Sequence, residues 1–291
     1  MTKTYLYLSI AICSLSLAGP LIRLCDSNPF LIAFYRMFFA MLVLLPLSLP
    51  HLKRILPTLS LKNYGRILLM AIFFSAHLIF WIISLSHTKV ANAMIAFSLN
   101  PVFTAIAAFF FLKEKIDRYV IIALFLGLAG LVVLGYEDLS LAQNYFYGDM
   151  LAALGGAFFA AYFVIGRPLR QLPELNNFAL MSMIYFIGSL LALIFIFFYD
   201  VPLFTLSQQS MLAIAALVFF PTILGHVGLA YVLKYLPASM VSASTLVEPV
   251  LGGIVAYNLF HEDYSYKVWI GYALIVAGLL FLIYSENKRK N

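Results

Sequence analysis

The sequence predicts an all-α membrane protein: ten transmembrane helices forming two inverted five-helix repeats. Three observations lead there. The chain of 291 residues is 64% apolar and 10% charged, with a mean hydropathy of +1.00, whereas soluble chains run about 45–50% apolar and about 25% charged. Its apolar runs are about twenty residues long, the length that crosses a ~30 Å hydrocarbon core as a helix. A stretch of its second half repeats one of the first at a fixed offset of 148 positions.

Bounded by charge, Pro or Gly, the runs fall near 4–22, 29–50, 65–85, 90–112, 119–136, 148–167, 178–199, 209–233, 237–260 and 267–284. Ten crossings take roughly 200 residues and leave no sizeable soluble domain. The first run, behind Lys3, has the look of a signal peptide, but nine further spans follow it and it is read as an uncleaved helix. Each run is continuously apolar instead of alternating over about ten residues, which excludes a β-barrel.

Lys and Arg give the orientation, because positive loops stay in the cytoplasm. With the N-terminus inside, fourteen of eighteen fall on inner segments: Lys3; Lys53, Arg54, Lys62 and Arg66; Lys113, Lys115 and Arg118; Arg167 and Arg170; Lys234; and Lys288, Arg289 and Lys290. Only Arg23, Lys89 and Lys267 fall outside, and Arg36 lies within a span. Both termini are expected in the cytoplasm and the chain in the cytoplasmic membrane. The net charge of +6 is scattered in these short groups and makes no stripe for nucleic acid. Cys13 and Cys25 form neither a metal pattern nor a disulfide framework.

Shifted by 148, Pro101–Tyr136 lies on Pro249–Tyr284 without a gap, and thirteen of thirty-six pairs are identical. They include Pro101 with Pro249, Glu114 with Glu262, and Ala129-Gly130-Leu131 with Ala277-Gly278-Leu279. Five helices per half place the second copy, residues 141–291, upside down relative to the first, residues 1–140, with Glu262 outside and Glu114 inside. Carriers built from inverted repeats bind solute near the midplane, at broken helices between the halves, and alternate access by exchanging the two conformations.

Ionisable groups in hydrocarbon cost roughly 2.5–3.5 kcal/mol and need a partner, water or a purpose. Glu248 stands mid-span beside Pro249, whose ring frees a carbonyl. It suits proton coupling or a cationic group, or else it is a protonated carboxyl bonded to a neighbouring helix. Its repeat counterpart, Asn100, cannot titrate. Ser242, Thr245, Glu248 and Gly252 share one face of helix nine, and Met94, Phe97, Asn100 and Thr104 the matching face of helix four. These stripes are read as opposing cavity walls, with small-residue helix packing as the alternative. His77 and Trp81, one turn apart on helix three, offer a polar ring and an aromatic face for a cationic or amphipathic solute, at about 0.5–2 kcal/mol of cation–π attraction. His226 on helix eight is a similar candidate, and Tyr162 and Tyr231 are weaker ones. Arg36 lies about 9 Å deep, at ~1.5 Å per residue. From there it reaches the interface, or holds an anionic group, or partners Glu248.

The ordered set His77-Leu78-Ile79-Phe80-Trp81, Ser84-Leu85, Thr88–Ala93, Pro101, Phe111-Leu112-Lys113-Glu114, Pro221-Thr222-Ile223-Leu224-Gly225-His226, Tyr235–Ser239, Glu248-Pro249 and His261-Glu262 resembles the EamA-type members of the drug/metabolite transporter superfamily over essentially the whole chain. The resemblance implies ten helices in two repeats, export or exchange of a small metabolite such as an amino acid, and an Arg at position 36. Relatives of that type often carry a polar residue where this chain has Ala230. Expected, then, is a secondary active transporter with a small-molecule substrate, membrane lipid around it and protons as a candidate coupling ion. No cofactor, metal or nucleic acid is expected. Neither a Gly-x-Ser-Gly run with a later His nor His-Glu-x-x-His occurs, so no membrane enzyme is predicted, and no Walker sequence points to ATP. A channel or a non-transporting membrane component is the alternative.

Overall fold

The structure, a computed structural model, describes residues 2–88, 90–139, 146–260, 269–278 and 280–281. Among the described residues ten helical segments follow one another: α1 (Lys3–Arg23), α2 (Pro29–Thr58), α3 (Leu61–Ser84), α4 (Asn92–Leu112), α5 (Arg118–Leu139), α6 (Phe146–Arg170), α7 (Asn177–Phe198), α8 (Gln208–Val232), α9 (Ala238–Phe260) and α10 (Trp269–Gly278). Eight are long and apolar enough to cross a bilayer, and Arg118–Gly130 within α5 and Trp269–Gly278 are shorter apolar stretches, so the chain is a multi-pass membrane protein. No strand occurs among the described residues. Glu262, which the repeat places opposite Glu114, lies outside the described residues, as do His261, Lys89, Lys267 and residues 288–290.

Helix starts are set locally. Asn28, Ser60, Asn176 and Ser207 each accept a backbone N–H with the side chain, at 2.9, 3.3, 2.7 and 3.0 Å, which satisfies one of the donors orphaned at a helix N-terminus. Lipid tails are as apolar as leucine, so close packing does the work between helices. Thus α3 runs along α6 and packs on α7, α2 runs along α7, and α1 lies on α8. Small residues permit this approach: a methyl group at Gly188 would meet Ser75 Oγ at 2.5 Å and Met37 Sδ at 2.6 Å. Ser182 Oγ donates to Ser48 Oγ at 2.9 Å between α7 and α2. The core centres on Phe74, Tyr162, Phe163 and Tyr185, while Phe109, Phe110, Phe111, Phe125, Phe197 and Phe198 face outward, where a soluble fold would carry charge.

Among the described residues four helices are broken. In α1 the turn at Ser16–Leu17 separates two helical pieces. In α4 a turn at Ser98–Leu99 precedes Asn100-Pro101, and in α9 a tight 3₁₀ turn over Thr245–Val247 precedes Glu248-Pro249. Proline lacks the N–H that would bond four residues back, so Pro101 leaves the Phe97 carbonyl without that partner, and at Pro249 the Thr245 carbonyl accepts the Glu248 N–H instead. The fourth, α8, widens into a π-helix over Val218–Val227 around Pro221. Irregular backbone at membrane depth is tolerated where it lines a protein-enclosed space, and all four breaks meet at one cavity.

Candidate functional site

That cavity lies between α1, α2, α3, α4, α6, α8 and α9. It measures about 30 Å³, and its lining includes Gly19, Arg36, His77, Trp81, Met94, Phe97, Ser98, Phe159, His226, Thr245, Glu248 and Pro249. Such a volume holds about two waters.

Arg36 reaches it from α2, fully buried at 1% exposure. Its orientation starts from Pro221. Missing an N–H, that residue leaves the Leu217 carbonyl without its usual partner. Thr222 Oγ1 donates to this carbonyl at 2.7 Å, and its lone pair accepts Arg36 Nε, also at 2.7 Å. Tyr185 Oη donates to the Thr222 carbonyl at 3.3 Å and packs the same corner. Arg36 Nη1 and Nη2 then have no hydrogen-bond partner among the described residues. Two buried donors of a cation, held by their third neighbour and left free, are a ready seat for an oxyanion.

Glu248 faces the same space from the first turn below the α9 break. Among the described residues neither Glu248 nor Arg36 forms an ion pair, so the alternative in which Arg36 partners Glu248 does not occur here. The cavity therefore presents one cation and one carboxyl to its contents.

Aromatic rings close the remaining sides. His77 lies 4.5 Å from Phe159, 5.2 Å from Phe97 and 5.7 Å from His226 between ring centroids, and Trp81 lies 5.1 Å from Phe97. Phe74 underlies the group, 5.1 Å from His226. His226 Nδ1 has no partner among the described residues. Glycines of α6 let the wall close: a methyl group at Gly156 would meet the Phe97 carbonyl oxygen at 2.7 Å, and one at Gly155 would meet the His77 carbonyl at 3.4 Å.

Seven of the nine residues singled out from sequence thus line one cavity: Arg36, His77, Trp81, Phe97, His226, Thr245 and Glu248. Asn100 does not. Below the cavity the two stripes zip together, with Ser242 Oγ donating to Asn100 Oδ1 at 2.6 Å and Thr104 Oγ1 3.1 Å from that hydroxyl. Asn100 Nδ2 reaches Thr245 Oγ1 at 3.5 Å. Gly252 packs on α1 and Met94: a methyl group there would meet the Ser16 carbonyl at 2.8 Å. Tyr231 lies apart, on the rim of a second groove, in ring contact with Tyr7 and Tyr235. Ala230 lines that groove too. Sequence reading missed Phe159, Ser98, Thr222 and Tyr185. Only Thr222 carried a signal, as a polar residue beside a mid-span proline.

At the two ends of the bundle, polar latches join the halves. Glu114 accepts the Ala238 and Ser239 N–H groups at 3.0 and 3.3 Å and the Ser239 hydroxyl at 3.0 Å, and pairs with Arg167. It caps α9 from the end of α4, where Lys113 turns the chain with φ 56°. At the opposite end Asp26 accepts the Ser207 hydroxyl at 2.5 Å and that of Ser210, and these bonds hold its carboxyl below the usual carboxylate range.

The model of the EamA-like transporter family matches residues 2–136 and 146–284. An S-adenosylmethionine uptake transporter of Rickettsia bellii is 31% identical over 276 residues, 90% of this chain and 86% of the relative. Its counterpart in Rickettsia felis is 30% identical over 269 residues, 90% of this chain and 85% of the relative. An uncharacterized transporter of Clostridium kluyveri is 24% identical over 91% of this chain and 86% of its own. A crystal structure superposes with a TM-score of 0.78 over 97% of both chains at 19% identity, which shows the fold alone. With the family model matched across both halves, the chain belongs to the EamA-like transporter family.

Proposed function

We propose that this transporter is a secondary carrier for a zwitterionic metabolite bearing an amino-acid group, and that S-adenosylmethionine is the first compound to test. The observation that carries this reading is that Arg36 and Glu248 line one cavity without pairing to each other. The free Nη1 and Nη2 of Arg36 match a carboxylate, whose two oxygens accept paired N–H donors. Glu248 matches an ammonium or sulfonium. Trp81, Phe97 and Phe159 offer faces on which a ring stacks or a cation rests, worth about 0.5–2 kcal/mol per cation–π contact. The names of the Rickettsia relatives, which span nearly the whole chain, support the same chemistry.

Residues 1–140 and 141–291 act as the two inverted halves, alternating access from either side of the cytoplasmic membrane with both termini in the cytoplasm. Support comes from the gapless thirty-six-residue match at an offset of 148, from the paired breaks before Pro101 and Pro249, and from the need of the small cavity to open before a solute enters. In the solute-free carrier Glu248 takes up a proton from water and returns it to water when a cationic solute binds. Exchange against internal solute or protons sets the direction of net movement.

Counterflow in proteoliposomes tests this. Labelled S-adenosylmethionine outside, with excess unlabelled compound inside, is expected to enter saturably and faster than into unloaded vesicles. Entry of neither S-adenosylmethionine nor any amino acid above protein-free vesicles overturns the substrate reading. Non-saturable entry without trans-stimulation overturns the carrier reading in favour of a channel.

A further inference from the structure

A groove of about 670 Å³ opens at the end of the bundle where His51, Arg170 and Lys234 gather, between α1, the α6–α7 connection and the last turns of α8. Arg170 is its buried cation, 2% exposed. Its Nη2 donates to Tyr162 Oη at 2.6 Å, while Nε and Nη1 have no hydrogen-bond partner among the described residues. The guanidinium folds back on its own helix because Gly166, one turn earlier, has no side chain to occupy that place. Leaving two donors of a buried cation unmade costs more than an ordinary missing hydrogen bond, which a bound anion would offset. Lys234 adds positive potential at the groove, and Tyr7, Tyr231 and Tyr235 form one of its walls, with centroids 5.2 and 5.1 Å apart.

The groove backs onto the central cavity through a single aromatic layer. Tyr162 stacks on Phe159 with centroids 5.7 Å apart and planes at 15°, and also meets Phe74 at 4.9 Å. Phe159 is a wall of the central cavity, and Phe74 touches His226. On one side of that layer Arg36 lines the cavity, and on the other Arg170 lines the groove, each with unpartnered donors that are themselves buried.

We infer that Arg170 and the tyrosine wall form a second solute station on the basic side of the molecule, which takes the carboxylate of an amino-acid-bearing metabolite after the aromatic layer parts. This rests on the carrier reading above and adds a site to it. An anion leaving Arg36 meets another buried guanidinium instead of hydrocarbon, while the tyrosines receive the ring or cation.

The test uses the full chain in neutral detergent, with Cys13→Ser and Cys25→Ser and one reporter thiol, Pro173→Cys, on the groove. The rate of maleimide modification is measured while S-adenosylmethionine or methionine is titrated. Saturable protection is expected, retained in Glu248→Gln and weakened at least tenfold by Arg170→Gln, with Arg170→Lys intermediate. Where Arg170→Gln fails to fold, Tyr162→Phe, which removes the anchor of Nη2 and keeps the charge, is expected to weaken protection severalfold. Protection by neither probe, protection equal in Arg170→Gln or Tyr162→Phe, or its loss in Glu248→Gln overturns the proposal. Protection by phosphatidylglycerol where both probes fail overturns it in favour of a lipid site. Counterflow without protection removes the station and leaves the carrier; protection without counterflow removes the carrier and leaves a binding groove.

Discussion

Arg36 Nε donates to Thr222 Oγ1 at 2.7 Å, so the cavity's guanidinium is held by a threonine on α8 and not by the carboxyl across the cavity. That threonine is in place because Pro221 vacates the Leu217 carbonyl, which Thr222 takes. The cation stays fixed whether or not Glu248 is charged or occupied.

Thr222→Val keeps the volume and removes the acceptor. A hydrogen bond to a charged group is worth about 1.5–3 kcal/mol. The KM for counterflow is expected to rise roughly tenfold or more, with Thr222→Ser close to the parent protein. A Thr222→Val carrier with unchanged KM would take Arg36 out of solute binding.

Glu248→Gln is expected to insert and fold normally, to lose stimulation by a pH gradient, and to bind cationic solutes more weakly. Transport by this variant that responds to a pH gradient as the parent does would end the coupling role. Trp81→Ala is expected to raise KM roughly 2- to 30-fold, from about 0.5–2 kcal/mol of lost cation–π attraction. Unchanged affinity would remove Trp81 from the site.

Glu114→Ala strips the cap from α9 and leaves Arg167 without its carboxylate. Each orphaned group costs about 1–3 kcal/mol, so thermal stability in detergent is expected to fall. Ser239→Ala removes one bond only and should fall less. Equal melting temperatures for Glu114→Ala and the parent would show that the latch contributes nothing in this state.

Asp26 gives a pH dependence. Ser207 and Ser210 hold its carboxyl below the ordinary value of about 3.9. A lowered folded-state value means the bonds stabilise the protein fully above that ordinary value, and that this contribution is lost as pH falls through the folded value. Asp26→Asn should therefore lower the melting temperature at pH 7 and narrow its gap to the parent below about pH 4. A constant gap down to pH 2 would contradict this.

The sequence made the charged members of the site plain, because an Arg and a Glu inside apolar runs have few other uses. His77, Trp81 and Phe97 followed from one-turn spacing. Asn100 was placed on the right face and at the wrong depth. A helical stripe gives direction, but where α4 and α9 cross, at Ser242 and Asn100, depends on packing that spacing does not encode. Tyr231, a weaker aromatic candidate, lies beyond the widened stretch of α8 that ends at Val227, where the residues line the other groove. Phe159 and Tyr185 were invisible for a simpler reason: among twenty-seven phenylalanines and eighteen tyrosines no aromatic stands out. The described helix α5, Arg118–Leu139, covers the expected span 119–136, whereas of the expected span 267–284 only residues 269–278 and 280–281 are described.

A chamber with room for two waters must dilate before any cargo fits, and the work of dilation is subtracted from what the contacts yield. Measured affinity will understate how well Arg36, Glu248 and the rings grip their guest. Trimming a bulky neighbour such as Leu15, which contributes no polar contact, ought then to tighten uptake by making the roomy form commoner at rest.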